Sequence, residues 1–520
     1  MSEKQPLLKG DSSTPREPFL VNSLNRSAED LNEQSLNDLA QHARYRYYTK
    51  LYPRQELIIP DHVLPPYLFL PILPSIGYKQ SSLITIFAIW NTMMGTSLLS
   101  LPWAIGQSGF VLGMALIITM GLICFYTCYL ILKSANYMDK SKFEALEFTD
   151  VCEHYLGKSG KICSIVSSLV ALLGSTTVYL VLLSNFLFSV GQFIHDQSNS
   201  VPGNVTSLAN YSGSSLSEVL CAADESPKHT KPTSLTSSGS DAFYNIWQQD
   251  LTVPFYLLVV LLPLSSFKSP TFFTKFNALG TLSVFYIIVF VCVKSATWGP
   301  NLHFEDSLTE ERTPLYNLQF PALTGTLGLA FYIHNAILSI MRNQEKPQNN
   351  TRDLTIAYSL ATGTYFSIGF IFYSCFPLAK LCIQQVLLDN FASGDVMTFC
   401  AHVCLLFQMI TVFPLLMYIL RVQIFTLLFR NVYPSLIHVV VLNFLVIGLG
   451  IVFAIFYPHV GHIIRYVGST SGLAYIFALP CIVYMLIEKR KNSLTWPKLI
   501  IHCGLLFLGF LNFASQFMIK

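Results

Sequence analysis

The sequence predicts an all-α polytopic membrane protein of about eleven transmembrane helices, and three observations carry the prediction. Its 520 residues are 52% apolar and only 12% charged, with a mean hydropathy of +0.49, far from soluble averages. Apolar stretches of about 20 residues, the length that crosses hydrocarbon as a helix, recur along most of the chain. Basic residues are unevenly shared between alternate short loops, as in a chain that weaves through a bilayer.

In chain order the spans are expected at 83–104, 109–132, 162–193, 253–267, 271–293, 322–341, 354–379, 397–424, 434–456, 463–487 and 496–518. The fourth is short, and with Pro263 and Pro270 the fourth and fifth also read as one bent hairpin, so the count moves by one. No apolar leader with a cleavage site is visible ahead of residue 83, so the first span is expected to direct insertion. With the N-terminus cytosolic, the inside loops hold roughly sixteen Lys and Arg, including Lys133, Lys268, Arg342, Arg421 and Lys489–Lys491, against roughly seven outside.

The loop at 196–251 then lies outside. It is rich in Ser and Thr and carries two glycosylation sequons, Asn204 and Asn210. Sequons at Asn25 and Asn349 fall on the cytosolic side and read as chance matches. Of the 12 cysteines, most sit in spans as small apolar residues. Cys221 and Cys382 stand in outside loops and are expected to pair, since oxidising surroundings favour it and no other outside partner exists; two unpaired thiols are the alternative.

Residues 1–80 form a separate region, polar, proline-containing and mostly disordered by composition, ahead of a transporter-like domain over 81–520. "EKQPLL", with Glu3, Leu7 and Leu8, has the acidic dileucine spacing that clathrin adaptors read on cytosolic tails bound for late endosomes and lysosomes; five positions also match by chance. "YRYYTKLYPRQELIIPDHVLPP" is aromatic, without helical period, and broken by prolines. It suits extended docking in a partner's groove or in the protein's own mouth, or lies along the membrane surface.

Within the first span, "IWNTMMGTSLLSLPW" carries small and polar residues where a plain span has none. Secondary transporters bind substrate and ion where helices are broken near the midplane. Gly95 permits close backbone approach, while Asn91, Thr92, Thr96 and Ser97 re-satisfy freed groups or line a site; helix–helix packing is the other reading. The sixth span, "LTGTLGLAFYIHNAILSIMRN", offers a matching break with Gly325, Gly328, His334 and Asn335, as five-plus-five inverted repeats would place it. His334 there faces a cavity or is a neutral, hydrogen-bonded core residue. In the eighth span Thr411 lies three residues before Pro414, which frees the carbonyl four residues earlier; hydroxyl and carbonyl oxygens suit Na⁺, and a plain proline kink suits the same residues. No Asp or Glu falls inside a core span, and the nucleotide, serine-hydrolase, zinc-protease and paired Cys-x-x-Cys motifs are absent. An enzyme is therefore not expected, no resident cofactor or nucleic-acid partner is implied, and no filter-like repeat marks a channel.

"IWNTMMGTSLLSLPWAIGQSGF", "FYIHNAILSIMRN", "FQMITVFPLLMYILRVQ" and "LTWPKLIIH" resemble the sodium-coupled neutral amino acid transporters of the amino acid/auxin permease group, over nearly the whole chain. The resemblance implies a leucine-transporter-like 5+5 inverted repeat with unwound first and sixth spans. It implies substrate held by Thr92, Met93, Met94, Gly95 and Thr96, with Asn91 and Thr411 as Na⁺ contacts. Arginine, glutamine, leucine and tyrosine are the substrates it points to. The tail "YYTKLYPRQELIIPDHVLP" resembles the docking motif by which a lysosomal, arginine-responsive branch of that family binds Rag GTPases and Ragulator and signals to mTORC1. Tyr47, Tyr48, Leu51, Ile58, Ile59, Pro60, Asp61 and His62 fall in that motif. Residues 67–80 are shorter and more apolar than the family's linker, and two residues are missing within the docking segment.

Overall fold

A computed structural model describes residues 81–138, 147–198, 219–221, 243, 245–249, 251–267, 278–304, 312–342, 344–429 and 434–519. The sorting residues Glu3, Leu7 and Leu8, the docking residues from Tyr47 to His62, and the sequons at Asn25, Asn204 and Asn210 lie outside them. Fourteen α-helices carry the described chain: α1 Ser82–Met93, α2 Ser97–Ser108, α3 Phe110–Asn136, α4 Phe148–Ser198, α5 Thr252–Ser265, α6 Ala278–Trp298, α7 Pro321–Ala330, α8 Ile337–Arg342, α9 Asn350–Cys375, α10 Val396–Phe429, α11 Leu436–Phe456, α12 Val460–Gly472, α13 Leu479–Arg490 and α14 Trp496–Ser515.

Among the described residues eight helical segments are long and apolar enough to cross a membrane, nine if α1 and α2 form one span bent by 59°. Two of the expected spans are shorter: α5 has 14 residues, and the sixth is divided into α7 and α8. Mixed faces explain the burial pattern. In α11 Asn443, Ile447, Gly450 and Ala454 recur at helical spacing on the packed side, while Leu445, Leu449 and Phe456 are exposed, as suits a bundle bathed in lipid.

Local chemistry sets the boundaries. Gly109 ends α2 with φ 84°, and a Cβ there would lie 2.6 Å from the Tyr316 Cα, so only glycine fits. The approaching loop caps the next helix: the N–H groups of Phe110 and Val111 donate to the carbonyls of Pro314 and Leu315 at 2.8 and 3.1 Å. Helix α4 extends well ahead of its expected start because Gly157, at φ 71°, joins a short preceding helix to the span. A six-residue π stretch, Leu473–Ala478, links α12 to α13; Pro480, just beyond it, withholds an N–H and crowds the carbonyl four residues back, which favours a widened turn. Helix α9 starts before its expected boundary, bringing the fully buried Asp353 into its first turn, paired with Arg352 at 2.9 Å, where the helix dipole favours a negative charge. Glu488 likewise falls in the last turn of α13, paired with Lys498. Both acids sit at helix ends.

Helices α7 and α12 meet through glycine. A Cβ on Gly328 would lie 2.9 Å from the Gly468 carbonyl oxygen, and one on Gly468 would strike the Gly325 carbonyl oxygen and come within 2.6 Å of the Leu329 nitrogen. Backbone on both sides leaves no side chain to yield. Gly468→Ala is therefore expected to destabilise the protein by about 1–3 kcal/mol, read as a lowered melting temperature in detergent, whereas Gly504→Ala, with nothing within 4 Å of the added carbon, should not lower it. Equal melting of the two variants would show that α12 yields freely. The C-terminal helix holds the same element: Gln516 Nε2 donates to the Pro321 carbonyl at 2.7 Å and Thr324 Oγ1 to Asn512 Oδ1 at 2.6 Å.

Cys221 and Cys382 form the expected disulfide, with Cα atoms 4.4 Å apart. An isolated antiparallel bridge pairs Val219 with Phe391, and the Leu220 N–H donates to the Asn390 carbonyl at 2.9 Å. Nearby, Lys294 pairs with Asp395 at 2.9 Å. Burial alone would raise the Asp395 pKa, but hydrogen bonds from Thr398 and Lys294 outweigh it and hold the carboxyl below its usual range. Stability from this group is present above the ordinary carboxylate pKa and is lost only as pH falls through the depressed value.

Candidate functional site

Helix α1 stops at Met93, and α2 starts again at Ser97. Between them the Met94 N–H donates to the Trp90 carbonyl at 3.0 Å and the Gly95 N–H folds back to Met93 at 2.8 Å, while Leu98 and Leu99 reach only to Gly95 and Thr96. Among the described residues this leaves the carbonyls of Asn91 and Thr92, and the N–H groups of Thr96 and Ser97, without backbone partners. The opening of α2 thus offers donors with the positive end of its dipole, and the end of α1 offers acceptors with the negative end of its own.

The second break runs from Phe331 to Ala336, between α7 and α8, and the N–H groups of Ile333, His334 and Asn335 make no backbone hydrogen bond among the described residues. Its position corrects one expectation. Gly325 and Gly328 belong to helix α7, where they pack on α12; the break falls on the aromatic and polar residues after them.

Helix α9 spans both breaks. The Tyr365 hydroxyl contacts the Met93 carbonyl, at the end of α1, and lies 3.0 Å from the Ala330 carbonyl, at the end of α7. Thr364 Oγ1 accepts from Trp90 Nε1 at 3.1 Å, and the Tyr358 hydroxyl donates to the Phe331 carbonyl at 3.3 Å.

A cavity of about 30 Å³ opens at the first break, bordered by Met94, Gly95 and Thr96, by Tyr179 of α4, and by Gln408 of α10. This volume holds a water or two and is too small for an amino acid. No ionisable acid or base other than the Tyr179 phenol borders it, so fixed charge is supplied by the helix ends. Gln408 leaves its amide oxygen buried without a partner.

Thr92 Oγ1 donates to the Ala88 carbonyl at 2.7 Å, and Met93 presents its carbonyl to Tyr365. Asn91 Oδ1 accepts from Thr281 of α6 at 3.2 Å, whereas Thr411 Oγ1 donates within its own helix to the Gln408 carbonyl at 2.8 Å. No hydrogen bond joins these two. His334 is fully buried with Nε2 2.9 Å from Thr127 Oγ1. That hydroxyl has one proton and faces the carbonyls of Ile123 and Cys124 at 3.1 and 3.2 Å. Donation to either carbonyl makes His334 the Nε2–H donor, with Nδ1 left unpartnered. Neither His334 nor Asn335 borders the cavity at the first break.

Residues 79–519 match the family described as transmembrane amino acid transporter protein. The chain belongs to that family. Neutral amino acid transporter 9 of Rattus norvegicus is 45% identical over 500 residues, spanning 92% of this chain and 89% of its own. The sodium-coupled neutral amino acid transporter 9 homolog of Caenorhabditis elegans is 43% identical over 513 residues, spanning 95% and 82%. Neutral amino acid transporter 9 of Xenopus tropicalis is 41% identical over 524 residues, spanning 96% and 93%. The protein is thus a multi-pass membrane member of a transmembrane amino acid transporter family.

Three residues of this transporter-family chain escaped the sequence reading: Tyr365, Tyr179 and Gln408. Each is a polar tip in an apolar helix, a signal present in "GTYFS", "TVYLV" and "LFQMI". Which tips converge depends on helix packing, which periodicity does not fix.

Proposed function

We propose that the protein exports amino acids from the lumen of lysosomes and late endosomes, in a sodium-linked and arginine-responsive manner, and signals amino acid sufficiency to mTORC1 through its cytosolic N-terminal tail. The observation that carries the transport reading is the first break, with free N–H groups at Thr96 and Ser97 and free carbonyls at Asn91 and Thr92 beside a small cavity. A zwitterion fits this polarity: its carboxylate meets the opening of α2 and its ammonium the end of α1. Met93, Met94 and Gly95 form the wall between these two ends. The substrate side chain faces Tyr179 and Gln408; a free amide oxygen favours the donor-bearing side chains of arginine and glutamine over leucine, with tyrosine between them.

Sodium is read as co-transported cargo. Asn91 supplies an amide oxygen, Thr411 a hydroxyl, and Pro414 releases the Ile410 carbonyl near it. His334 and Asn335, in the second break, are the candidate gating residues. Purified protein in proteoliposomes should take up at least one of labelled arginine, glutamine, leucine and tyrosine saturably, and replacing Na⁺ by choline should abolish the uptake. Uptake of none of the four removes the transport reading.

A receptor with little transport is the second reading, favoured by the aromatic tail. A peptide of residues 44–66 should bind Rag GTPase–Ragulator without the membrane domain. Tyr47, Tyr48, Leu51, Ile58 and Ile59 act as apolar anchors, Pro60 limits the entropy lost on docking, and Asp61 and His62 add polar contacts. Replacing the five anchors by alanine should abolish binding, since hot-spot residues each contribute about 2 kcal/mol or more. Lack of saturable binding by the native peptide at about tens of micromolar removes the signalling half.

A further inference from the structure

The first half of α12 carries a buried charge without a counter-ion. Arg465 is 2% exposed, and no Asp or Glu pairs with it among the described residues. Helices α2, α7 and α14, which pack around α12, contain no acidic residue. The groups hydrogen-bonded to its guanidinium are neutral: Nη2 donates to the Tyr466 hydroxyl at 3.1 Å and to the Ile519 carbonyl at 3.5 Å, while Nε is buried without a partner. A buried cation in that state is costly unless an anion balances it. Two more donors stand beside it. Having accepted from Arg465, the Tyr466 hydroxyl keeps a proton with no acceptor among the described residues. His462, three residues before Arg465 on the same helix face, holds Nδ1 3.0 Å from the Tyr457 hydroxyl, and Nε2 bears the proton when that hydroxyl donates. His462 is half-buried and His459, ring to ring 5.5 Å away, is exposed, so the cluster opens toward solvent.

We propose that Arg465 is the base of a binding site for a small monovalent inorganic anion such as chloride, with the Tyr466 hydroxyl and His462 as its further donors and His459 at the mouth. One guanidinium charge calls for one negative charge. Tyr466 packs on Phe517 with ring centroids 5.7 Å apart, which fixes its hydroxyl beside the guanidinium. The site also bears on α7. A Cβ on Gly325 would lie 2.7 Å from the Arg465 carbonyl oxygen and 3.1 Å from the Arg465 Cβ, so an anion that holds this side chain holds α12 where α7 rests on it. Binding to the folded protein alone stabilises it. The site does not depend on what the protein transports.

The test is the melting temperature of the full-length protein in detergent as sodium chloride replaces sodium gluconate at constant ionic strength and pH, which holds Na⁺ and screening fixed. The melting temperature should rise with chloride and saturate. Arg465→Gln should melt at one temperature in both salts, whereas Arg490→Gln, at an exposed arginine, should keep the full response. His462→Phe keeps a ring beside Trp103 and removes the N–H. It should raise the half-saturating chloride concentration about tenfold, the effect of one lost charge-assisted hydrogen bond. An unsaturated response, a response that Arg465→Gln retains, or a half-saturating concentration unchanged by His462→Phe overturns the proposal. Should Arg465→Gln fail to fold, crystals of the wild-type protein grown in sodium bromide carry the test: an anomalous peak beside Arg465 is expected, and its absence overturns the site.

Discussion

Thr96→Trp is expected to abolish saturable amino acid binding while leaving expression and membrane insertion near normal. Thr96 stands at the start of α2 with φ −59° and ψ −25°, ordinary helical values that any L-residue adopts without strain. Its side chain borders a cavity of about 30 Å³, and an indole, which buries roughly 150–250 Å² when packed, fills that space and the approach to the free N–H groups beside it. Thr96→Ser, which keeps the backbone and the hydroxyl, should retain binding. The measurement is titration of labelled arginine and glutamine on purified protein. Wild-type affinity in the tryptophan variant would mean that the break is a packing feature and that substrate is held elsewhere.

Loss of the disulfide is expected to be the most destabilising single covalent change. It joins residues 161 positions apart, and closing so long a loop in the unfolded chain corresponds to about 5 kcal/mol in a chain-entropy description. It also anchors the segment at Val219–Cys221 to Phe391 through the adjoining bridge. Cys221→Ser, Cys382→Ser and the double variant should melt at the same lowered temperature, because each removes the same bond. Peptide mass analysis of native protein should find the pair joined before reduction and free after it. A double variant much less stable than either single one would point to separate roles for the two side chains.

Hydropathy made most of the bundle legible. A helix such as α11, apolar apart from His438 in its first turn and Asn443, has few alternatives in a membrane, because hydrocarbon forbids unpaired backbone. The first break was also readable, since Gly95 and its hydroxyl neighbours interrupt an apolar run. The second was located less well. Gly325 and Gly328 look like helix breakers, yet they keep helical geometry and allow α12 to approach at backbone distance. The chain unwinds instead at Phe331–Ala336, where the Tyr358 and Tyr365 hydroxyls donate to the freed carbonyls of Phe331 and Ala330. Partners supplied from another helix decide whether unwinding is tolerated, and a linear pattern does not contain them. The same holds for the π stretch before Pro480 and for Asp353: the residues were visible, but the neighbours that satisfy them were not.

The small volume of the cavity at the first break has a consequence for affinity. Because an amino acid does not fit in the conformation described, substrate held at the proposed site would need a conformation with more room, populated to some fraction. The apparent dissociation constant then equals the intrinsic one divided by the fraction of molecules in that population. A bias of about 2.8 kcal/mol toward the closed form would weaken apparent affinity about a hundredfold without any change at the contacts themselves. Substitutions far from the break that disfavour the closed form should therefore tighten binding, and a compound that wedges between the closed faces should inhibit without resembling an amino acid.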